Sequence, residues 1–361
     1  MVYFFSLFLF LLPGIFFYLI YRISGFFGGG NLRIIGVVSM ILAILYPLSV
    51  AYNMKYHGLL GKYLVTFSAV ILGIVTIGIG VMIFFEIINL ISRFFKYNLK
   101  HIYTGYILVG VISTLVIYSL INALRPIIVN VDVQIPGLEN NKRIVYMSDL
   151  HIDSIHALPY LQYIIDQVNN IEADFVIING DFIDSTAFDD NSFALLNTIN
   201  KEIFFTFGNH EKYAGNDYVR KLFKPTKVNI LENRVVEYNG LQLIGIQDLQ
   251  GIDNKANQNK LESILSGLTI DKTLPTIMIL HEPIGPHISQ KYGVDLQVAG
   301  HTHYGQIFPF TLLVKIAFPY IKGLYDVNGM NMFVSVGAGT WGPPMRLGSK
   351  SEIVVLHLKG K

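Results

Sequence analysis

Cysteine is absent from the 361 residues. That absence excludes disulfides, thiolate metal sites and cysteine nucleophiles, and it leaves the redox compartment open. Charge is scarce as well: 14% of residues are Asp, Glu, Lys or Arg, against about 25% in an ordinary soluble domain. Part of the chain must therefore sit somewhere other than water. The formal net charge of +2 gives no footprint for nucleic acid. Low-complexity tracts and internal repeats are missing too.

What is abundant is apolar, with 52% hydrophobic residues and a mean hydropathy of +0.48. Four runs, 2–20, 34–52, 63–85 and 102–124, contain no Asp, Glu, Lys or Arg. Each is long enough to cross a hydrocarbon core of about 30 Å. The first lacks the basic n-region and small-x-small site of a cleavable signal, so it is expected to be a span. In 86–100, Ile87, Ile88, Ile91, Phe94 and Phe95 share a face beside Arg93, Lys96 and Lys100. That pattern suits an interfacial helix continuing the third span. Four spans put the N-terminus and everything after Leu124 on one side. The charges nearest the spans favour the first and third loops inside, and hence the C-terminal part on the extracytoplasmic side.

After Leu124 the pattern changes to short apolar runs alternating with amphipathic stretches. Strands are expected at 127–133, 143–147, 175–178, 203–207, 228–231, 241–246, 276–280, 295–299, 331–336 and 353–358. Helices are expected at 158–169, 191–200, 217–223, 257–266 and 284–291. Asn239-Gly240 and Asn328-Gly329 sit between strand-like runs, a strong hairpin signal. The fold class is α/β, a sandwich of two buried sheets with helices on the outer faces. About 235 residues suffice for such a segment to bury its own core.

The chemistry lies where apolar runs end. Met147-Ser148-Asp149-Leu150-His151 closes one of them, and residues two apart point the same way at a strand end. In order there follow Gly180-Asp181-Phe182-Ile183-Asp184, Gly208-Asn209-His210-Glu211, His281-Glu282-Pro283 and Gly300-His301-Thr302-His303. Ligands of open α/β folds gather outside the carboxyl ends of strands. Taken singly, Gly180-Asp181 reads equally as a turn, Gly208 to Glu211 as a helix N-cap, and His281 as a core histidine bonded to a carbonyl. Five in a row, all oxygen and imidazole donors, instead suit two borderline divalent ions sharing a carboxylate.

This ordered set, Asp149-x-His151, Gly180-Asp181-x-x-Asp184, Gly208-Asn209-His210-Glu211, His281 and Gly300-His301-x-His303, resembles the calcineurin-like metallophosphoesterase superfamily. The surroundings of its last blocks resemble the bacterial membrane-associated branch: Glu282-Pro283, Gly293 to Gln297, Gly305-Gln306, and Gly337-Ala338-Gly339 with Pro344 and Arg346. The resemblance covers about 143 to the C-terminus, so residues 1–125 are read as a transmembrane region and 126–361 as the metallophosphoesterase domain. It implies that Asp149, His151 and His303 hold a first metal and that Asn209, His281 and His301 hold a second. Asp181 would bridge them, His210 would face the substrate phosphate, and Asp184 would orient a ligand from behind. The ions implied are Mn²⁺, Fe or Zn²⁺, because thiolate is lacking.

The expected activity is hydrolysis of a phosphate ester or pyrophosphate by a hydroxide shared between two ions. A lipid-linked substrate is expected because the domain is fused to spans. The alternatives are the same chemistry on a soluble nucleotide or phosphomonoester, and a non-catalytic membrane sensor or scaffold. The expected partners are membrane lipids and the phosphorylated substrate, without an obligate protein partner. Arg346 is a candidate for a phosphate oxygen, with a surface salt bridge as its alternative. Trp341 is expected to pack in the core. The apolar stretch 307–321, broken by Pro309 and Pro319, reads either as an apolar lip in the bilayer interface or, more simply, as packing beneath the site.

Overall fold

The computed structural model describes residues 2–56, 58–97, 99, 101–153, 157–186, 188–249 and 254–360, with side chains from residue 11 onward. Lys100 of the interfacial reading, and the side chains of 2–10 in the first apolar run, lie outside the described residues. Two compact units result. One is Met1–Leu124 with Gly305–Leu313 and Gly342–Gly348; the other is Arg125–Tyr304 with Val314–Trp341 and Ser349–Lys361. The main division falls between Leu124 and Arg125, and two short segments beyond residue 300 group with the helices.

The helical unit contains α1 (Val2–Ser24), α2 (Leu32–Tyr56), α3 (Leu59–Phe94) and α4 (Ile102–Leu124). The last three are long and apolar enough to cross a membrane, and the described part of the first is apolar over Leu11–Phe27. Residues 86–94 continue the third apolar run as helix, since α3 runs unbroken to Phe94. Glu86 ends the third uncharged run, and Arg22 follows the first. The Arg22 Nε donates to Glu86 Oε1 at 2.7 Å, and Asn89 Nδ2 donates to Oε2 at 3.3 Å. Charges among apolar helices are costly unless matched, and this pair is matched.

The second unit carries two six-stranded sheets. The first is built from β1 (Ile127–Ile135), β2 (Lys142–Met147), β3 (Phe175–Asn179), β4 (Glu202–Thr206), β5 (Val228–Ile230) and β12 (Glu352–Gly360) in the order β1-β12-β2-β3-β4-β5. Only the β12–β2 pairing is antiparallel. The second uses β6 (Arg234–Tyr238), β7 (Leu241–Ile246), β8 (Thr276–Leu280), β9 (Leu296–Ala299), β10 (Gly323–Val327) and β11 (Met330–Val334) in the order β10-β11-β9-β8-β7-β6. Its centre is parallel, and its two hairpins turn at Asn239-Gly240 and Asn328-Gly329, where all four residues have positive φ. Those dihedrals explain the Asn-Gly pairs.

Period-2 alternation sorts the core. Ile144, Tyr146, Phe175, Ile177 and Phe204 face Leu241, Leu243, Ile277, Ile279 and Val298 between the sheets. Their neighbours Val145, Met147, Val176 and Ile178 point outward, beneath Leu161, Ile164 and Val168 of α5 (Leu158–Asn169). On the opposite flank, Ile244, Met278 and Leu280 lie against Leu261 and Leu265 of α8 (Asn254–Ser266). Both faces of each central strand are buried, which is why these strands read as continuous apolar runs.

Several elements depart from expectation. The helix expected at 191–200 is a single tight turn at Ala194–Thr198. Strands β6 and β10 supply the first arms of the two expected Asn-Gly hairpins, but their ranges are not among the expected strands; they are edge strands with Arg234, Glu237 and Asp326 in their pairing register. Short helices α6 (Asn209–Ala214), α7 (Asn216–Phe223), α9 (Pro286–Lys291) and α10 (Phe310–Ala317) complete the chain, and α6 and α10 were not expected. Trp341 is 48% exposed, so it is not a core residue. Truncating the inter-sheet Ile177 to alanine should cost about 2–5 kcal/mol, seen as a lower denaturant midpoint in detergent. An unchanged midpoint would contradict the tight inter-sheet packing.

Candidate metal centre

The ends of β2, β3, β4, β8 and β9 converge, and with them the side chains singled out from sequence. Asp149 Oδ1 lies 3.3 Å from His303 Nε2 and 3.9 Å from His151 Nε2. The Nε2 atoms of His151 and His303 are 3.0 Å apart. A second group joins Asp181, His281 and His301, with Asp181 Oδ2 only 3.0 Å from His281 Nε2. The same Asp181 oxygen is 3.9 Å from His151 Nε2, so it stands between the two groups. Asn209 Oδ1 is 3.0 Å from His301 Nδ1.

The hydrogen bonds behind these atoms decide which nitrogens carry lone pairs. His281 Nδ1 is 2.8 Å from the Asn179 carbonyl, which can only accept, so Nδ1 holds a proton and donates it, leaving Nε2 to face the cluster. That Nε2 is buried and makes no hydrogen bond of good geometry. His151 Nδ1 likewise donates to Asp184 Oδ1 at 2.8 Å, leaving Nε2 to face His303. The Nε2 atoms of His151 and His303, with Asp149 Oδ1 alongside, stand close enough to one another to share one cation. The donor set therefore fits divalent ions, with oxygen and imidazole in the proportions that borderline metals accept.

Local backbone geometry is part of the cost. Asp149, His151, Asp181, His301 and His303 all have φ between 47° and 67°. Non-glycine residues avoid this left-handed region, and such strain clusters at functional sites at about 1–3 kcal/mol each. Glycine clears the approach. A Cβ on Gly300 would stand 2.3 Å from Asp149 Oδ2, and one on Gly208 would stand 2.3 Å from Asp181 Oδ1. Backbone donors fix the carboxylates: the His301 N–H donates to both Asp149 oxygens at 3.0 and 3.2 Å, and the His210 N–H donates to Asp181 Oδ1 at 2.9 Å.

Asp184 serves two histidines. Besides His151, its Oδ1 accepts from His210 Nδ1 at 2.5 Å, so His210 directs Nε2 away, 3.8 Å from Asp181 Oδ2. Burial disfavours the charged imidazole of His210, but Asp184 and Asp181 outweigh it and push the pKa up to about 10. Burial likewise raises the Asp184 carboxyl, yet His151 and His210 prevail and hold it well below the ordinary range. His301 moves the other way, down to about 4, through burial and the neighbouring His281.

Three acidic residues had been given no role. The buried Glu211 carboxylate accepts N–H bonds from Asp181, Phe182 and Gly208 at 2.8, 2.6 and 2.7 Å. It ties the β3 loop to the start of α6; a glutamate three residues after the N-cap is the available signal. The N-cap alternative for this motif is thus compatible with the metal reading. Asp248 follows β7 as the other motifs follow their strands, and its N–H donates to Phe207 O at 3.1 Å. Burial, then Glu282, raises its pKa. Glu282 Oε1 lies 3.8 Å from His301 Nε2.

Arg346 differs from the rest. Its side chain is fully buried, so the surface salt-bridge alternative fails. Its N–H donates to Ser119 O at 2.8 Å, and it belongs to the helical unit.

Residues 142–305 match the calcineurin-like phosphoesterase family. An uncharacterised metallophosphoesterase of Campylobacter jejuni is 38% identical over 258 residues, which cover 70% of this chain and 68% of that protein. One from Helicobacter pylori is 34% identical over 242 residues, covering 66% and 65%. A transmembrane protein with metallophosphoesterase domain from Danio rerio is 32% identical over 268 residues, covering 68% and 61%. The chain belongs to the calcineurin-like metallophosphoesterase family, and it spans about two thirds of the length of these relatives.

The pKa shifts fix a pH dependence for metal-free protein. His210 binds its proton more tightly when folded, so its contribution is full below the ordinary value of 6.5 and is lost as pH rises toward about 10. Asp184 contributes above 3.8 and loses that contribution as pH falls toward its depressed folded value. After chelation, the thermal midpoint should fall as pH rises through the His210 window, and Asp184→Asn should flatten the fall. An equally steep fall in that variant would contradict the pairing.

Proposed function

We propose that this protein is a membrane-anchored, dinuclear-metal phosphohydrolase acting on a lipid-linked phosphate ester or pyrophosphate. The observation that carries the chemistry is the meeting of Asp149, Asp181, His151, His281, His301 and His303, with the Nε2 atoms of His151 and His281 turned inward. Asp149, His151 and His303 would hold one ion, Asn209, His281 and His301 the other, with Asp181 shared. When bound, two such ions would neutralise phosphoryl charge and supply an activated water.

The protein's own groups do the rest. Asp184 fixes the His210 ring, leaving Nε2–H to bind the phosphate and donate to the departing oxygen. Glu211 and the backbone donors hold the carboxylates against their mutual repulsion. The buried setting lowers the local dielectric and strengthens each of these interactions. The long apolar helices on the same polypeptide support a membrane substrate and favour it over a soluble nucleotide. The charge pattern at the helix ends supports an extracytoplasmic site.

The test is a panel of lipid-linked phosphates, nucleotides and simple monoesters, assayed in detergent micelles with Mn²⁺. Lipid-linked substrates should turn over best, and Asp181→Ala should lose both hydrolysis and bound metal. His210→Ala should lower turnover by about 10²–10⁴-fold at unchanged metal content. Faster hydrolysis of nucleotides would overturn the lipid assignment. A metal-loaded protein inert on every substrate would overturn the enzyme.

A further inference from the structure

We infer that the chain from Gly305 through α10 is a lipid-embedded wedge, a monotopic element that lies in the bilayer beside α3 and α4. It extends the membrane-anchored reading, from which it takes the bilayer crossing of those helices.

The wedge is held at one edge and open at the other. Ile307 and Met345 are buried in a cluster with Ile77 of α3, packed against Leu115 and Leu120 of α4. Leu115 lies nine residues before the end of α4 at Leu124, about 14 Å at the helical rise of about 1.5 Å per residue. With Leu120 four residues from that end and Ile77 midway along α3, the packing runs from near the end of α4 into the length that spans a hydrocarbon core. Small residues admit it: a Cβ at Gly80 would meet Pro309 Cδ at 2.9 Å. The Phe308 N–H donates to Leu347 O at 2.9 Å, joining the two segments that group with the helices.

The open edge is apolar. Phe308 is 49% exposed, Leu312 51%, Leu313 53% and Ile316 83%. Water would leave Phe308 and three side chains of the eight-residue helix that follows it unburied, an arrangement that ordinary surfaces avoid. A bilayer around α3 and α4 meets the segment that packs on them and covers the face. The single charge of α10, Lys315, holds its Nζ 5.8 Å from the Tyr304 ring. A lysine and a tyrosine at one end suit the headgroup level. The expectation that 307–321 is simply packed core holds for Ile307, Val314 and Ile321 but not for these four residues.

The cysteine-free chain makes a direct test possible. Single cysteines at Leu312, Leu313 and Ile316 are labelled with bimane in the full-length protein, reconstituted in nanodiscs with or without brominated phospholipid. Ile107→Cys, on the exposed face of α4, and Glu172→Cys, in the other unit, are the references. The wedge positions should show blue-shifted emission and brominated-lipid quenching matching Ile107→Cys, whereas Glu172→Cys should respond only to aqueous iodide. Iodide quenching at the wedge with lipid quenching at position 107 overturns the wedge and leaves the anchored reading intact. Iodide quenching at position 107 as well overturns both.

Discussion

Two carboxylates, Asp149 and Asp181, are almost wholly withdrawn from water at one end of a two-sheet sandwich. Isolated charges in such a place cost several kcal/mol each, so they persist only where positive charge or dense hydrogen bonding meets them. Much of the surrounding architecture follows from that constraint. The backbone N–H of His301, from a left-handed turn, and that of His210, from the first turn of α6, reach them, and glycines at 208 and 300 remove the side chains that would collide. Two of the histidines are fixed from behind, His151 by Asp184 and His281 by the Asn179 carbonyl, so that their Nε2 atoms face the same space.

Asn179 shows how the two sheets are brought to a single point. Its side chain donates to Tyr146 Oη at 2.9 Å and to Val298 O at 3.0 Å, and accepts from Thr206 Oγ1 at 2.9 Å. One buried amide thus ties the end of β3 to its neighbours in the first sheet and to β9 in the second. Wholly satisfied buried polar groups of this kind fix register as well as adding stability. Convergence of strand ends from separate sheets is the condition for ligands far apart in sequence to share a centre.

Most of the site was legible because its residues stand at the ends of apolar runs, where a change from apolar to polar is visible in a single sequence. The sandwich was legible for the same reason: its inner strands are buried on both faces. Edge strands β6 and β10 were signalled only by the Asn-Gly turns that follow them, because one-sided pairing permits polar residues such as Glu237 and Asp326, which blur the alternation. Asn179 was invisible because its partners are brought together only by the packing of two sheets. Asp248 was missed although it follows β7 in the same manner as the residues that were found. The burial of Arg346 was not legible, because proximity to a motif says nothing about which unit a segment packs with.

The central claim is that the two donor groups share Asp181 and therefore hold ions close to one another. Electron paramagnetic resonance of the full-length protein titrated with Mn²⁺ tests this directly. The account predicts an exchange-coupled pair that dominates once both sites fill, and its loss in Asp181→Asn while single-ion signals remain. Spectra of isolated ions alone throughout the titration of the unaltered protein would contradict it.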